Sequence, residues 1–181
     1  MRIISFDIGI SNMAFCELVS NDLNTFFIDK WQVIDLLADQ DPSVRKGKGK
    51  DVTFLAKTLM SELYNLFSDS EIDFVLIENQ PCMKAPLMKS LQMVIFSFFI
   101  MQGVENVKFM SATNKLKVRM NPEPNKKLSY SEKKKLAVSL TRQYLATFSV
   151  DHTSSFEASK KKDDLSDCFL QGKYFIENLK T

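Results

Sequence analysis

Short apolar runs separated by polar links fill the first 34 residues and predict β-strands. Residues 2–8 (RIISFDI), 13–20 (MAFCELVS) and 25–34 (TFFIDKWQVI) are rich in β-branched and aromatic residues, which favour strands. The polar links between these runs are short, as in hairpins. The pattern therefore predicts an antiparallel meander of three strands.

The pattern changes after the meander. A basic segment at 40–51 contains Pro42 and two glycines, and its composition predicts a flexible loop. Leucines at every third or fourth position then predict an amphipathic helix over 52–67. The run IDFVLIE at 72–78 is apolar almost throughout, which is typical of a strand buried on both faces.

A second helix and a further strand follow this buried strand. Residues 87–102 are apolar around most of the predicted helix. Such a helix is expected to be buried against its own core or against a partner. A short strand is predicted over 104–110, and a basic loop follows it.

Two more helices complete the chain. Ser129 and Glu132 form a capping-box pattern, which predicts a helix over about 130–147. A polar tract at 148–162 precedes a last helix that begins near Asp163. The order β-β-β-α-β-α-β-α-α predicts a mixed α/β domain with an antiparallel start and later crossovers.

The composition agrees with one globular domain. The chain has 181 residues, of which 45% are hydrophobic and 25% charged, and both fractions are ordinary for such a domain. The three cysteines are far apart and have no C-x-x-C spacing. We therefore expect reduced thiols in an intracellular protein, without disulfides or a structural zinc site. The absence of a leader pattern and of a long apolar stretch predicts no membrane segment.

The charge is distributed unevenly, although the net charge is only +2. Residues 1–103 carry a balance of −4, whereas residues 104–181 carry +6. The second half could therefore face a polyanion. Its lysines could equally be solvated side chains on helices and loops, and charge alone leaves both interpretations open.

Acidic residues stand at the ends of two predicted strands and at the start of the last helix. Asp7 lies at or near the end of the first strand and Glu78 ends the buried strand. Asp164 and Asp167 are three residues apart and therefore on one helix face. A carboxylate at the end of a buried strand is costly unless it is compensated. Hard oxygen ligands select Mg²⁺ or Mn²⁺, and two such ions can drive phosphodiester hydrolysis.

Each acid also has an ordinary structural explanation. Asp7 could form a turn or a cap, Glu78 could pair with a lysine, and acids at the start of a helix are favoured by its dipole. The combination of two strand-end acids with a D-x-x-D helix favours a metal site over these separate explanations.

The motifs FDIGISN, VLIENQP and KKDDLSDC resemble those of the RuvC-type Holliday junction resolvases, above all their poxviral and mitochondrial branch. The resemblance covers residues 2 to about 175. It implies an α/β, RNase H-like fold: a mixed five-stranded sheet, antiparallel in its first three strands and flanked by helices. It also implies one nuclease domain over 1–181, in which the basic loop at about 40–51 and the tract 151–162 depart from the family pattern as insertions.

The resemblance implies a role for each acid. The implied catalytic residues and metal ligands are Asp7, Glu78, Asp164 and Asp167. They would hold two Mg²⁺ ions per site, and Mn²⁺ is expected to substitute. Asp163 is adjacent, and a register error of one residue would exchange it with Asp164. A lysine of the loop after the fifth strand would complete the catalytic set, and Lys115 fits the family spacing better than Lys117.

The implied activity is the nicking of opposing strands in a four-way DNA junction. Cleavage would leave a 5′-phosphate and a 3′-hydroxyl, and a homodimer would present two identical sites. The apolar helix at 87–102 could contribute to the dimer interface. Candidate phosphate-binding residues are Arg45, Lys46, Lys48, Lys50, Lys117, Arg119, Lys126 and Lys127. Tyr130 and Phe156 are aromatic candidates for stacking on opened bases. The branch assignment would locate the protein in a cytoplasmic viral factory or a mitochondrion.

Three other functions are consistent with parts of the sequence. An actin-like or sugar-kinase-like ATPase also opens with a strand, an acid and a glycine, but it repeats that motif in a second half for which this chain is too short. Another RNase H-like nuclease, acting on flap DNA or on an RNA–DNA hybrid, would use the same acids. A non-catalytic nucleic-acid-binding module would have no need of all four acids, which would repel phosphates without metals.

Overall fold

The computed structural model describes residues 1–20, 25–46, 51–83, 85–118, 128–148 and 152–179. The strands are β1 (Arg2–Asp7), β2 (Met13–Val19), β3 (Phe27–Ile34), β4 (Phe74–Glu78) and β5 (Val107–Met110). The helices are α1 (Pro42–Lys46), α2 (Val52–Phe67), α3 (Pro86–Met101), α4 (Tyr130–Phe148), α5 (Thr153–Ala158) and α6 (Lys162–Asn178). A short 3₁₀ turn at Lys115–Lys117 follows β5.

The five strands form one mixed sheet with β1 at its centre. The order across the sheet is β3-β2-β1-β4-β5. β1 is antiparallel to β2 and β2 to β3, whereas β1 is parallel to β4 and β4 to β5. The predicted mixed five-stranded sheet with an antiparallel start is therefore confirmed.

Helices cover both faces of the sheet, and each face has its own apolar core. On one face α2 and α3 pack over β1, where the ring of Phe6 lies 6.0 Å from that of Phe67 and 5.8 Å from that of Phe99. On the other face α4, α5 and α6 cover the sheet, and Trp31 stacks on Phe156 with ring centroids 5.1 Å apart. Burying each such side chain contributes about 1.5–3 kcal/mol.

The parallel pairing of β1 and β4 brings two acids to the same edge of the sheet. Phe6 is in register with Ile77. The residues that follow them, Asp7 and Glu78, therefore end neighbouring strands side by side. Because α6 packs on β1 and β2, its amino-terminal turn can bring further acids to this edge.

Two glycines allow the close packing at this edge. A Cβ on Gly9 would lie 2.8 Å from the backbone oxygen of Asn12, so the tight turn after β1 has no room for a side chain. A Cβ on Gly172 would lie 2.6 Å from Cδ1 of Leu18 and 3.3 Å from Cβ of Ser5. The missing Cβ lets α6 lie directly on β1 and β2.

The strongly patterned helices are confirmed. The leucine spacing predicted a helix over 52–67, which is the extent of α2. At the start of α4, the backbone N of Ser129 donates to Oε2 of Glu132 at 2.8 Å, and the backbone N of Glu132 donates to Oγ of Ser129 at 3.3 Å. This reciprocal pair is the predicted capping box.

The segment predicted as a flexible loop at 40–51 contains a short helix. Oδ1 of Asp41 accepts hydrogen bonds from the backbone N of Ser43 at 2.8 Å and from its hydroxyl at 2.6 Å. This cap opens α1, so the loop prediction was wrong for 42–46. Residues 47–50 lie outside the described part of the chain.

The polar tract at 148–162 also contains a helix, α5, which the sequence analysis missed. Its one buried residue, Phe156, is 1% exposed and stacks on Trp31 with the ring planes 8° apart. One apolar residue in six gives no helical period. The helix is therefore held by a tertiary contact that the local sequence does not announce.

Strands β3, β4 and β5 begin two or three residues later than predicted. At β5 the cause is the end of α3, where Gly103 has a φ of 82° and the backbone N of Val104 donates to the oxygen of Phe99 at 3.0 Å. The apolar side chain of Val104 is buried in the core, as the strand prediction assumed. Its backbone, however, belongs to the helix cap.

The three cysteines are free: Cys16 and Cys168 are buried, and Cys82 is exposed. Across the described ranges, no helix combines the length and the apolar character that a membrane crossing requires.

Candidate active site

A cleft of about 530 Å³ opens where β1 and β4 end and α6 begins. It is lined by Asp7, Ile8, Glu78, Gln80, Ala112, Thr113, Lys115, Leu116, Tyr130, Lys133, Lys134, Asp164 and Asp167. All four acids that the sequence analysis grouped together face this cleft. They come from three elements and span 160 positions of the sequence.

The ammonium group of Lys115 lies at the centre of the acids. Its Nζ is 2.9 Å from Oδ1 of Asp7, 3.0 Å from Oδ2 of Asp167 and 3.2 Å from Oε1 of Glu78. The residue is only 4% exposed. One central cation therefore faces three carboxylates directly, with Asp164 in the same cleft, and the acids keep an excess of negative charge.

Burial keeps some of these carboxyl groups protonated near neutral pH. Desolvation raises the pKa of Asp7 to about 7, against the opposing effect of the Lys115 ammonium and with a further rise from the Glu78 carboxylate. Burial and neighbouring carboxylates raise the pKa of Asp164 to about 6. Burial also raises the pKa of Asp167. Carboxyl groups with raised pKa values in a cleft are typical of functional sites.

Lys115 rather than Lys117 lies in the cleft. Burial alone would lower the pKa of Lys115, but the surrounding carboxylates raise it well above its usual value. Lys115 therefore stays charged over the working pH range. Nζ of Lys117 donates instead to Oδ1 of Asn114 at 2.8 Å and lies 5.8 Å from the ring centroid of Tyr174.

Asp164 faces the cleft, whereas its neighbour Asp163 is ion-paired with Lys134. Burial would raise the pKa of Asp163, but the hydrogen bond from Lys134 lowers it below its usual value. Consecutive helical residues point about 100° apart. Asp164 therefore shares the cleft with Asp167, while Asp163 points toward α4.

The acids suit a hard divalent cation in their chemistry. Oxygens of Asp7, Glu78 and Asp167 converge on a position that the Lys115 ammonium takes as a stand-in cation. They lie at hydrogen-bond distances from it, longer than the roughly 2.0–2.1 Å of Mg²⁺ ligands. In the described part of the chain, no three His, Cys, Asp or Glu side chains already surround a single metal position. The oxygen donors therefore suit a hard divalent cation by their chemistry, while Lys115 lies at the point where they converge.

Polar side chains of α3 support the strand end that carries Glu78. Nε2 of Gln80 donates to Oε2 of Glu78 at 3.1 Å. Oε1 of Gln92 accepts from the backbone N of Gln80 at 2.8 Å and from Nζ of Lys89 at 3.2 Å. This support was not predicted from the sequence. The available signal was a lone glutamine within the apolar stretch of the predicted helix 87–102.

Gln171 ties α6 to the sheet beneath the acids. Its Nε2 donates to Oγ of Ser5 at 3.0 Å and to the backbone oxygen of Phe6 at 3.1 Å. It follows Asp167 by four residues and therefore lies on the same helix face. This contact helps to set the separation between Asp167 and Asp7. No local pattern predicted this contact, because a single helical glutamine is usually exposed.

Most of the predicted DNA-binding residues lie outside the described part of the chain. These are Lys48, Lys50, Arg119, Lys126 and Lys127, and the side chain of Lys46 is not described either. Arg45 is ion-paired with Asp35 and donates to the backbone oxygen of Leu37 at 3.0 Å. These contacts use its guanidinium within the fold, so a role of Arg45 in DNA binding stays a prediction, as it does for Lys117.

The two aromatic candidates for base stacking differ in exposure. Tyr130 lines the cleft and is 75% exposed. Phe156 is buried against Trp31, so the prediction that it could stack on bases was wrong.

Comparison with known proteins gives a family match over part of the chain and one viral relative. Residues 3–81, which include Asp7 and Glu78, match the family described as "Mitochondrial resolvase Ydc2 / RNA splicing MRS1". The chain is 35% identical over 138 residues to "Uncharacterized protein L451" of Acanthamoeba polyphaga mimivirus, a match that covers 65% of this chain and 32% of that protein. The chain thus spans about a third of the length of this relative.

Three solved structures share the fold of the chain. The fowlpox virus resolvase, in complex with Holliday junction DNA, matches with a TM-score of 0.68 at 19% identity over 100% of both chains. The yeast mitochondrial Holliday junction resolvase Ydc2 matches with 0.67 at 16% identity, over 97% of this chain and 78% of that chain. Thermus thermophilus RuvC matches with 0.65 at 10% identity, over 98% and 96%. The resemblance to RuvC-type resolvases that the motifs indicated is confirmed, and the chain has the fold of these three structures.

Proposed function

We propose that this chain is a Holliday junction resolvase, a metal-dependent endonuclease that nicks opposing strands of four-way DNA junctions. The observation that carries the proposal is the convergence of four carboxylates from β1, β4 and α6 on one cleft, three of them in direct contact with the Lys115 ammonium. This set occurs in a fold that the chain shares with three resolvases. The chemistry of the cleft, rather than the modest sequence identity, is the basis for the activity.

The carboxylates are the proposed ligands of two Mg²⁺ ions, for which Mn²⁺ could substitute. The ligand set is Asp7, Glu78, Asp164 and Asp167. When bound, such ions lower the pKa of water and stabilise the negative charge that develops on a phosphodiester. The proposed products are a 5′-phosphate and a 3′-hydroxyl.

Three lysines of the cleft counter the repulsion between these acids and a DNA backbone. Lys133 and Lys134 line the cleft, and Lys115 lies at its centre. The Lys115 ammonium is close to the strand-end acids, so it can donate a hydrogen bond to an oxygen of the scissile phosphate. The exposed ring of Tyr130 offers a surface on which an unpaired base can stack.

A homodimer would bring two such clefts to the two equivalent strands of a junction. The surface formed by α2 and α3 suits such a contact, because it holds an apolar depression of about 500 Å³ that includes Met60 and Met93. At the end of α3, Ile100 is 46% exposed and Met101 is 83% exposed. The relatives are viral and mitochondrial proteins, so the proposed place of action is a viral factory or a mitochondrion.

Cleavage of end-labelled DNA in Mg²⁺ tests the proposed activity. A mobile four-way junction is compared with a flap, a linear duplex and an RNA–DNA hybrid, with the wild-type chain and with Asp7→Asn. Paired symmetric nicks in the junction alone, absent for Asp7→Asn, are the expected result. Cleavage of the flap or the hybrid instead would keep the metal site and overturn the substrate.

Binding of the junction without cleavage of any substrate would favour the non-catalytic module. That alternative has one specific observation in its favour, since the description of the matched family also names an RNA-splicing protein. Light scattering of the chain, alone and with junction DNA, tests the dimer. Replacing Met93 by Asp should dissociate a dimer formed through the α2–α3 surface.

A further inference from the structure

A second, basic depression adjoins the cleft on the side of α4. We call it the α4 groove; it has a volume of about 390 Å³ and lies between α4 and the segment that joins α5 to α6. Its charged lining residues are Lys134, Lys135, Arg142, Lys160, Lys162 and Asp163. Five of these six side chains are cationic. None of them is among the residues that the sequence analysis assigned to DNA binding.

The spacing along α4 explains one wall of the groove. Lys135, Val138 and Arg142 are separated by three and four residues, so they lie on one face of the helix. Lys160 and Lys162 line the opposite side. Lys134 lines both the groove and the cleft. The two depressions therefore form one continuous surface, with Lys134 at their boundary.

Two cations of the groove are ion-paired, whereas two exposed lysines are not. Lys134 is ion-paired with Asp163, and Arg142 with Glu157. Lys135 and Lys160, in contrast, are exposed and have no ion-pair partner among the described residues. The one lining acid, Asp163, and Glu157, the partner of Arg142, are therefore both engaged in ion pairs, and the surface between these pairs is cationic.

We propose that the α4 groove binds the phosphate backbone of a duplex arm as that arm leaves the active-site cleft. This inference rests on the proposed function. A strand in the acidic cleft is repelled by its carboxylates, and a row of cations beside the cleft offsets that repulsion. Lysines contact phosphates without reading bases, so the groove contributes affinity and register on the DNA rather than sequence preference.

The lining of the groove favours DNA over a membrane surface. A membrane-binding patch combines lysines with several apolar side chains that insert between lipids. Among the described lining residues, Val138 is the only large apolar one. Continuity with the cleft gives a further reason, because a polyanion that reaches the acids from this side passes Lys134.

Binding measurements on a variant that cannot cleave DNA separate the contribution of the groove to binding from its effect on cleavage. In an Asp7→Asn background, Lys135→Gln/Lys160→Gln removes two unpaired charges and breaks no ion pair seen in the fold. The control is Lys108→Gln, which removes one exposed lysine of β5 that lines neither the cleft nor the groove; its Nζ lies over the rings of Phe74 and Phe175 and forms no ion pair in the described part of the chain. Fluorescence anisotropy gives the Kd for a four-way junction and for a linear duplex over a range of salt concentrations.

The groove variant is expected to bind the junction about tenfold or more weakly at moderate salt, and the slope of log K against log salt should fall by about 1–2, since each phosphate contact contributes about 0.9. The control should keep the wild-type slope, and Lys135→Arg/Lys160→Arg should restore it. An unchanged slope in the Gln variant, with junction binding otherwise intact, would overturn the groove. Loss of affinity for junction and duplex alike, in a chain that prefers neither, would support the groove and contradict the resolvase activity.

Discussion

Both ends of the central sheet carry buried carboxylates, but their charges are compensated differently. At the amino end, Glu17 is fully buried and is ion-paired with Arg2 and Lys30, and Arg2 also pairs with Asp29 at 2.9 Å. In this ion-pair network two cations balance two carboxylates, and the exposed Asp73 beside it lies 4.0 Å from the amino-terminal nitrogen. At the carboxyl end, the single central cation Lys115 faces a cluster of four acids.

The difference supports the proposal that the cluster at the carboxyl end is the active site and that the cluster at the amino end is structural. The cations at the amino end keep contact with water, since the side chains of Arg2 and Lys30 are 32% and 42% exposed. Lys115 is almost fully buried, and burial raises the pKa values of Asp7 and Asp164 around it. Buried acids alone are thus weak evidence of function. An excess of acid that the fold does not neutralise is stronger evidence, because it calls for an external cation.

The largest expected difference between the two ends is in cleavage. Asp7→Asn removes a proposed metal ligand and should slow junction cleavage by about a thousandfold or more, since several kcal/mol of transition-state stabilisation are lost. Asp29→Asn makes the same chemical change at the amino end and should leave the rate within about twofold. Single-turnover cleavage in Mg²⁺ measures both. Normal cleavage by Asp7→Asn would contradict the metal assignment.

Removing one cation at each end of the sheet should change the effect of Mg²⁺ on the Tm at the carboxyl end only. Lys115→Met leaves three carboxylates without their cation and should destabilise the metal-free protein by about 3–5 kcal/mol. Mg²⁺ should then raise the Tm of this variant more than that of the wild type, because the ion no longer competes with the ammonium. Lys30→Met is the matched change at the amino end, where the Mg²⁺-induced rise should equal that of the wild type. Equal rises in all three proteins would refute the competition.

The pH dependence of stability should differ in the same way. The folded-state pKa of Asp7 is raised from 3.8 to about 7, so the folded state binds more protons than the unfolded state between these values. Without metal, this group should therefore lower the stability as the pH rises from about 4 to about 7, by about 4 kcal/mol, and have no further effect above that range. Asp164 acts in the same direction up to about pH 6.

Denaturation of the wild type and of Asp7→Asn in a chelator, at several pH values, isolates this contribution. The difference between the two curves removes the effects of other carboxylates, such as Asp163, whose pKa is lowered. Asp7→Asn should become the more stable protein as the pH approaches 8. A stability difference that does not change with pH would contradict the raised pKa of Asp7.

The smallest expected effect is at the amino end. Glu17→Gln keeps the shape of a buried side chain but removes its ion pairs with partly exposed partners, and should cost about 1–2 kcal/mol of stability. Urea denaturation measures the loss. The cleavage rate of the folded protein and its Mg²⁺-induced change in Tm should stay at wild-type values, and a change in either would mean that the two ends of the sheet are coupled.

Strong local patterns made much of the fold predictable. The leucine period of α2, the apolar run of β4 and the capping box of α4 each hold within one element, where neighbouring positions fix the geometry. Helix α5 was missed because its only anchor, the stacking of Phe156 on Trp31, joins residues 125 positions apart. The start of β5 was misplaced because the side chain of Val104 packs in the core, as in a strand, while its backbone forms the cap of α3.

The sequence by itself determined which groups are candidates for the chemistry: two strand-end acids, a D-x-x-D helix and a lysine-bearing loop. Only the tertiary structure decided which side chains meet. It turned Asp164 into the cleft and paired Asp163 with Lys134, and it buried Lys115 among the acids while Lys117 stayed outside. The physical reason is that spacing along a chain fixes contacts within one element. Contacts between elements depend on strand register, helix rotation and packing, such as the approach of α6 that Gly172 allows.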